Sequence, residues 1–368
     1  MTSYFTTPII NKYVKAGIEV VESHHEQWDG SGYPKGLSGN NIPLSGRILA
    51  LCDVYDALTS KRIYKEAFSH EKSRDIILKS KGAHFDPDVI DAFLKVEKKF
   101  IHIKEILKLN HPEKFLAFFP GMNENTAAAI YGINVEAYRA IKAEFTNNAK
   151  LAADELLQDI NFVKRVEKLP FKKGDVVLGF GDSITDDYQS WFEILSFVLE
   201  KVFGQNAFKL VNAGWSGDTS LQLIKRFLGV ANENPDWIIC MIGTNDAIRN
   251  KLLPERTSIS FEETAGNLDY LTKLAKKKTN AEWIWMTPPN VNPETIDAHP
   301  FTEFLQNAWD TEDLRKIAEY MKSRKEPVID IWEAFGNPVN DELLSSDGLH
   351  PSIKGYKEIV RQLVEQLT

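Results

Sequence analysis

The sequence predicts a doubly wound α/β sandwich over residues 171–368, with helical segments ahead of it. Three observations predict it. Five short apolar runs occur, VVLGF (176–180), FKLVNA (208–213), WIICMIG (237–243), WIWMT (283–287) and PVIDI (327–331). Between them lie longer amphipathic stretches such as YQSWFEILSFVLEKVF and TSLQLIKRFLGVAN. The runs are apolar throughout rather than alternating, as in strands covered on both faces by helices. Five such strand–helix units give a three-layer sandwich with a five-stranded parallel sheet. Ligands then sit at the carboxyl ends of the strands.

Two segments precede the sandwich. Residues 1–103 are helical in pattern but interrupted by the Gly-rich loop DGSGYPKGLSGNNIP. Residues 104–170 form a helical leader or linker: NENTAAAIYG, NVEAYRAIKAEF and AADELLQDINFVKRV repeat apolar residues at three- and four-residue spacing. The turn LPFKKGD closes it. There is no internal repeat and no low-complexity tract.

Composition bounds the function classes. A chain of 368 residues holds two or three domains. With 43% hydrophobic and 26% charged residues it is no disordered chain, collagen-like fibre or disulfide scaffold. No apolar run approaches the ~20 residues of a membrane span. The start MTSYFTTPIINKYVK lacks the basic end and apolar core of a signal peptide, so a cytoplasmic protein is expected. Cys52 and Cys240 lie in apolar stretches and read as buried free thiols. The formal net charge of −8 is uneven: residues 1–103 hold 14 Lys/Arg against 13 Asp/Glu, and the remainder is acidic. No basic stripe alternates with aromatics, so nucleic acid is not an expected partner.

Chemistry-bearing residues gather at strand ends. The first strand runs into Gly181-Asp182-Ser183-Ile184-Thr185, where a Ser would stand near the N-terminus of the next helix. Alone, Asp182 or Ser183 reads equally as a helix cap. A nucleophilic Ser needs a base, and residues 171–368 hold two histidines, His299 and His350. His350 lies in Asp347-Gly348-Leu349-His350-Pro351, where an Asp three residues upstream can turn back on the imidazole. His299 stands in a polar loop and is expected at the surface. Asn212–Thr219 follows the second strand and Gly243-Thr244-Asn245-Asp246 the third. Both can face backbone N–H groups and an amide into one cleft, where each oxyanion donor lowers a barrier by roughly 3–4 kcal/mol. Each can also be an ordinary turn. The segment TPPNVNPETIDAHPFTEF follows the fourth strand, and its polarity suggests a rim outside the core.

In order these blocks read GDSIT, SGDTS, GTND and DGLHP, all intact. Together they resemble the SGNH (GDSL-type) hydrolase family over residues 171–368. The resemblance implies a flavodoxin-like sandwich and a metal-free, cofactor-free serine esterase or lipase working through an acyl-enzyme. It makes Ser183 the nucleophile, His350 the general base and Asp347 its orienting partner. The oxyanion donors would be the N–H groups of Ser183 and Gly217 and the side-chain amide of Asn245. Substrates in that family are small acyl esters, acetylated sugars or lysophospholipids.

The N-terminal segment carries a second constellation. HHEQWDGSGYPKGL, IPLSGRILALCDVYDALTSKRIY and GAHFDPDVIDAFL closely resemble the carboxyl-terminal half of an HD-GYP domain. That family hydrolyses cyclic di-GMP at a two- or three-metal site, and its ligands match His24, His25 and Asp53. Imidazole and carboxylate suit iron, manganese or zinc. HD-GYP domains bear further ligands upstream, and residues 1–23 contain no His, Asp or Cys. The alternatives are a metal-dependent cyclic di-GMP phosphodiesterase or, as the missing ligands lead one to expect, a truncated, inactive remnant holding at most a residual metal. It would act in binding or dimerisation, with apolar faces left open to self-association.

Overall fold

In the computed structural model, residues 23–59, 68–106, 123–130 and 134–368 are described. The N-terminal stretch read for a signal peptide and for upstream ligands therefore lies outside the described residues through residue 22, as do 60–64 of the second HD-GYP-like string. The described residues divide into two compact units, one of 23–59, 68–106, 128–130 and 134, the other of 123–127 and 135–368.

The first unit is helical. Its opening loop is held by the buried Glu26, whose carboxylate accepts from the backbone N–H groups of Lys35 (2.7 Å) and Leu37 (2.8 Å). Helices Leu44–Thr59, His70–Lys79 and Pro87–Ile106 follow. Pro87 suits the first turn of its helix, where no N–H partner is needed. That helix runs across the limit drawn at residue 103. Leu51, Tyr55, Ile77, Phe85, Ile90 and Phe93 form the unit's core. Leu44 and Ile48 stay 56% and 46% exposed beside a cleft of about 520 Å³ that Cys52 also lines. Cys52 is thus half-buried, because its helix offers that face to the cleft, while Cys240 is buried as read.

The second unit is built on five parallel strands: β1 (Val176–Gly181), β2 (Lys209–Gly214), β3 (Trp237–Met241), β6 (Glu282–Met286) and β8 (Val328–Ile329). Their order is β2-β1-β3-β6-β8, with pairs such as Gly181 beside Gly214 and Met241. Each of the five apolar runs holds one strand. The period-2 alternation explains why the inner strands are apolar on both faces, whereas β2 at the sheet edge is half-buried and carries Lys209 and Asn212. Val177, Ile239, Met241, Ile284 and Met286 pack on one face, against helices Trp191–Phe203 and Ile353–Leu367. Leu178, Phe180, Ile238, Cys240, Trp283 and Trp285 pack on the other, against helices Ser220–Ala231, Phe261–Lys278 and Thr311–Lys322.

The helices Val135–Leu157 and Ile160–Val166 contribute Ala149, Ala153, Leu156, Phe162 and Val166 to the first of these cores. The leader therefore shares a core with the sandwich.

Two features were not expected from sequence. A small antiparallel sheet joins β5 (Leu253–Thr257), β4 (Arg249–Asn250) and β7 (Asn307–Ala308), in that order. Arg249 ties it to helix Thr311–Lys322 through a two-pronged pair with Asp313, at 2.6 and 3.0 Å. The segment after β6 is also not a polar rim throughout: Thr287, Asn290 and Val291 are almost fully buried. Polar groups can be buried when partnered. Thr287 Oγ1 accepts from the N–H groups of Ile331 and Trp332, and Asn290 Nδ2 donates to the Gly336 carbonyl. His299 is half-buried with its Nδ1 away from solvent, not a plain surface residue. The side chains of Phe301 and Phe304 lie outside the described residues. Among the described residues no helix is long and apolar enough to cross a membrane.

Candidate active site

β1 ends at Gly181, and the next residues turn into the short helix Ser183–Asp186. Asp182 caps that helix: its Oδ1 accepts the Ile184 N–H at 3.0 Å. The cap reading was therefore correct for Asp182, and it presents Ser183 at the first helical position rather than competing with it. Asp182 is fully buried, which pushes its carboxyl up to about 7 against the pull of the Ile184 N–H and of His350.

Ser183 Oγ lies 2.9 Å from His350 Nε2 across 167 residues of sequence. His350 Nδ1 lies 2.7 Å from Asp347 Oδ2. The other carboxylate oxygen, Asp347 Oδ1, accepts from Ser345 Oγ (2.7 Å) and from the N–H groups of Leu349 and His350 (2.9 Å each). Asp347 thus has one oxygen fixed by its own loop and the other committed to the imidazole. Gly348 makes the loop possible. Its φ is +71°, and a Cβ there would meet Thr295 Cβ at 2.7 Å. Its carbonyl accepts from the Asn292 N–H, so the segment after β6 braces the His350 loop.

The electrostatics follow the geometry. Burial works to raise the Asp347 carboxyl and to lower the His350 imidazole. Their mutual attraction and hydrogen bond outweigh it. Asp347 is held well below the usual carboxylate range, and His350 is raised above an ordinary imidazole, with Asp187 and Asp182 adding to the rise.

The second and third blocks meet beside this group. Asp218 N–H bonds to the Trp215 carbonyl at 3.1 Å, and Gly217 has φ +82° at the third position, the form of a type II turn. Trp215 N–H bonds to the Gly181 carbonyl at 3.0 Å, which sets this turn against the end of β1. Asn245, nearly buried, donates one amide hydrogen to the Asp218 carbonyl at 2.9 Å and keeps the second.

The contacts that hold these blocks together are not visible in their motifs. Asn212 donates to the Thr185 carbonyl and to Glu193, and accepts from Gly214 N–H. Asp246 is fully buried and accepts from Ser220 N–H (2.9 Å), Ser220 Oγ and Thr264 Oγ1 (3.0 Å). A carboxylate directly after the amide of GTND was the available signal.

In the first unit His24 and His25 lie with ring centroids 4.0 Å apart, and His25 stacks on Tyr33 at 4.8 Å. Among the described residues no three His, Cys, Asp or Glu side chains converge as a metal-holding group, and His24, His25 and Asp53 form none. The described residues therefore do not assemble the metal centre that the HD-GYP resemblance implies.

Comparison with known proteins agrees with this division. Residues 6–89 match the HD domain family, and residues 180–358 match the GDSL-like lipase/acylhydrolase family. A probable cyclic di-GMP phosphodiesterase of Vibrio cholerae is 60% identical over 87 residues, 24% of this chain and 20% of the relative. A cyclic di-GMP phosphodiesterase of Thermotoga maritima is 42% identical over 90 residues, 24% of each chain. The chain spans about a fifth of the length of the first such relatives. Among solved structures, an acetylxylan esterase from Geobacillus stearothermophilus aligns over 53% of this chain and 95% of its own, with 22% identity and a TM-score of 0.41. An α/β hydrolase from the Lake Arreo metagenome aligns over 54% and 96%, with 25% identity and a TM-score of 0.41. The chain thus resembles an HD-domain segment followed by a GDSL-like lipase/acylhydrolase domain.

Proposed function

We propose that the second unit hydrolyses small acyl esters through a Ser183-His350-Asp347 triad and an acyl-enzyme. The observation that carries this reading is the continuous chain from Ser183 Oγ to His350 Nε2 (2.9 Å) and from His350 Nδ1 to Asp347 (2.7 Å). Ser183 Oγ attacks the ester carbonyl while His350 Nε2 takes its proton. Negative charge on the former carbonyl oxygen is met by the N–H groups of Ser183 and Gly217 and by the free amide hydrogen of Asn245. Collapse expels the alcohol, which takes the proton from His350. Water, deprotonated by His350, then attacks the acyl-Ser183 ester and releases the acid. Asp347 stays ionised throughout and stabilises the imidazolium. None of these steps calls on a metal or cofactor.

Ser183→Ala tests the reading. It should lower the turnover of p-nitrophenyl acetate by about 10⁵- to 10⁶-fold. Wild-type turnover by a folded variant would sink the assignment.

A second reading applies to the first unit, which is 60% identical over 87 residues to a probable cyclic di-GMP phosphodiesterase. We read this unit as a module for binding or dimerisation without hydrolysis. The support is that His24, His25 and Asp53 do not gather as metal donors among the described residues.

A further inference from the structure

Arg226 stands on helix Ser220–Ala231, outside all four sequence blocks, and it touches two of them. Its Nη2 donates to the Gly181 carbonyl at 2.9 Å, two residues before Ser183. Its Nη1 donates to the Ala213 carbonyl at 2.8 Å, at the end of β2. Its Nε donates to the Asp218 carboxylate, the residue after Gly217. The guanidinium lies over the Phe180 ring, 4.6 Å from its centroid. Arg226 and Asp218 side chains are only 20% and 8% exposed, so the fork is shielded from water.

The helix that bears Arg226 is itself anchored. Thr219 and Gln222 form a capping box at its start, and Asp246 of the GTND block accepts from Ser220 N–H and Oγ. The arm therefore reaches from the third block across to the first and second.

The turn it grips sets the direction of one N–H group. Types I and II of a four-residue turn differ by a half rotation of the central peptide, here Ser216–Gly217. That peptide carries the Gly217 N–H. A Cβ at Gly217 would meet nothing within 4 Å, so the glycine serves its φ of +82° rather than a close approach. Glycine permits the type II form but does not enforce it, because it adopts type I equally well. External ties must hold the rotation, and Arg226 supplies one through Asp218 while Asn245 supplies another.

We propose that Arg226 is a positioning residue that clamps the Trp215–Asp218 turn to the end of β1, so that the Gly217 N–H stays aimed at the oxyanion formed on Ser183. This rests on the Ser183 reading above. Arg226 acts through the turn and does not touch the ester.

The test uses the full chain with Arg226→Met. Misaiming one oxyanion donor should lower kcat about 30- to 100-fold, with KM within about twofold of wild type. A boronic acid that forms a tetrahedral adduct on Ser183 should lose affinity by the same factor as kcat/KM. The neutral alcohol product, which offers no anionic oxygen to the hole, should bind as before. If Arg226→Met does not fold, Asp218→Asn keeps the shape of the clamp but removes its charge, and should show the same pattern at about tenfold. Equal losses for boronate and product, or unchanged kcat and boronate affinity, would overturn the clamp. If wild-type chain itself forms no fluorophosphonate adduct at Ser183, the Ser183 reading falls instead.

Discussion

The two units of this chain carry equally recognisable residues and use them differently. In the second unit, Ser183, Gly217, Asn245 and His350 come from blocks far apart in sequence, yet Ser183 Oγ and His350 Nε2 meet at 2.9 Å. In the first unit, His24, His25 and Asp53 lie within thirty residues of one another and do not form a metal-holding group among the described residues. The difference teaches that proximity in sequence is a poor guide to convergence. A parallel sheet brings every strand's carboxyl end to one edge, so blocks that follow its strands must meet there. Adjacent histidines on a turn have no such guarantee.

The comparison can be broken at several points. The largest effect after loss of the nucleophile belongs to Asp347→Asn. An amide in place of the carboxylate favours the wrong imidazole tautomer, and turnover near neutral pH should fall about 10⁴-fold. The pH profile gives an independent sign. His350 must be neutral to act as base, and Asp347 raises it above an ordinary imidazole. The acid limb of kcat/KM should therefore lie above about 6.5 in the wild type, with activity lost as pH falls through it. Without the Asp347 charge, burial acts to lower the imidazole, so the residual limb should move to lower pH. A limb that stays in place would separate Asp347 from His350 titration.

Asn245→Ala comes next. It removes one proposed oxyanion donor and should cost about 10²- to 10³-fold in kcat with little change in KM. A KM effect alone would make Asn245 a substrate contact and not a transition-state donor.

The smallest expected effect sharpens the other side. EDTA, or the triple change His24→Ala, His25→Ala and Asp53→Ala, should leave ester hydrolysis unchanged. Cyclic di-GMP incubated with the chain should be recovered intact by chromatography. Its linearisation in a chelator-sensitive manner would show that the first unit hydrolyses the nucleotide.

Much of the second unit was legible because burial on both faces makes a strand apolar throughout, as in Trp237–Met241. The triad was legible because each block carries turn chemistry beside its reactive group. The small sheet was not, since most of β5 is exposed and β4, two residues long, pairs with β7 from a distant part of the sequence. Thr287 and Asn290 read as rim because polarity suggests solvent, whereas their burial depends on partners that come from residues 331–336. Arg226 was hidden for the converse reason. One arginine in an amphipathic helix reads as a solvated charge, and nothing local tells that three oxygens from two other segments await it. In the first unit, the loop held by Glu26 and the helices around Phe85 matched the motif strings, but their donors' spacing in space was not written in those strings.

The intact chain is treated with a fluorophosphonate in the presence of EDTA, and the modified residue is mapped by peptide mass spectrometry. A single adduct on Ser183 is expected, with ester hydrolysis lost in proportion to labelling. Modification at another residue, or hydrolysis that survives complete labelling of Ser183, would contradict the Ser183 assignment.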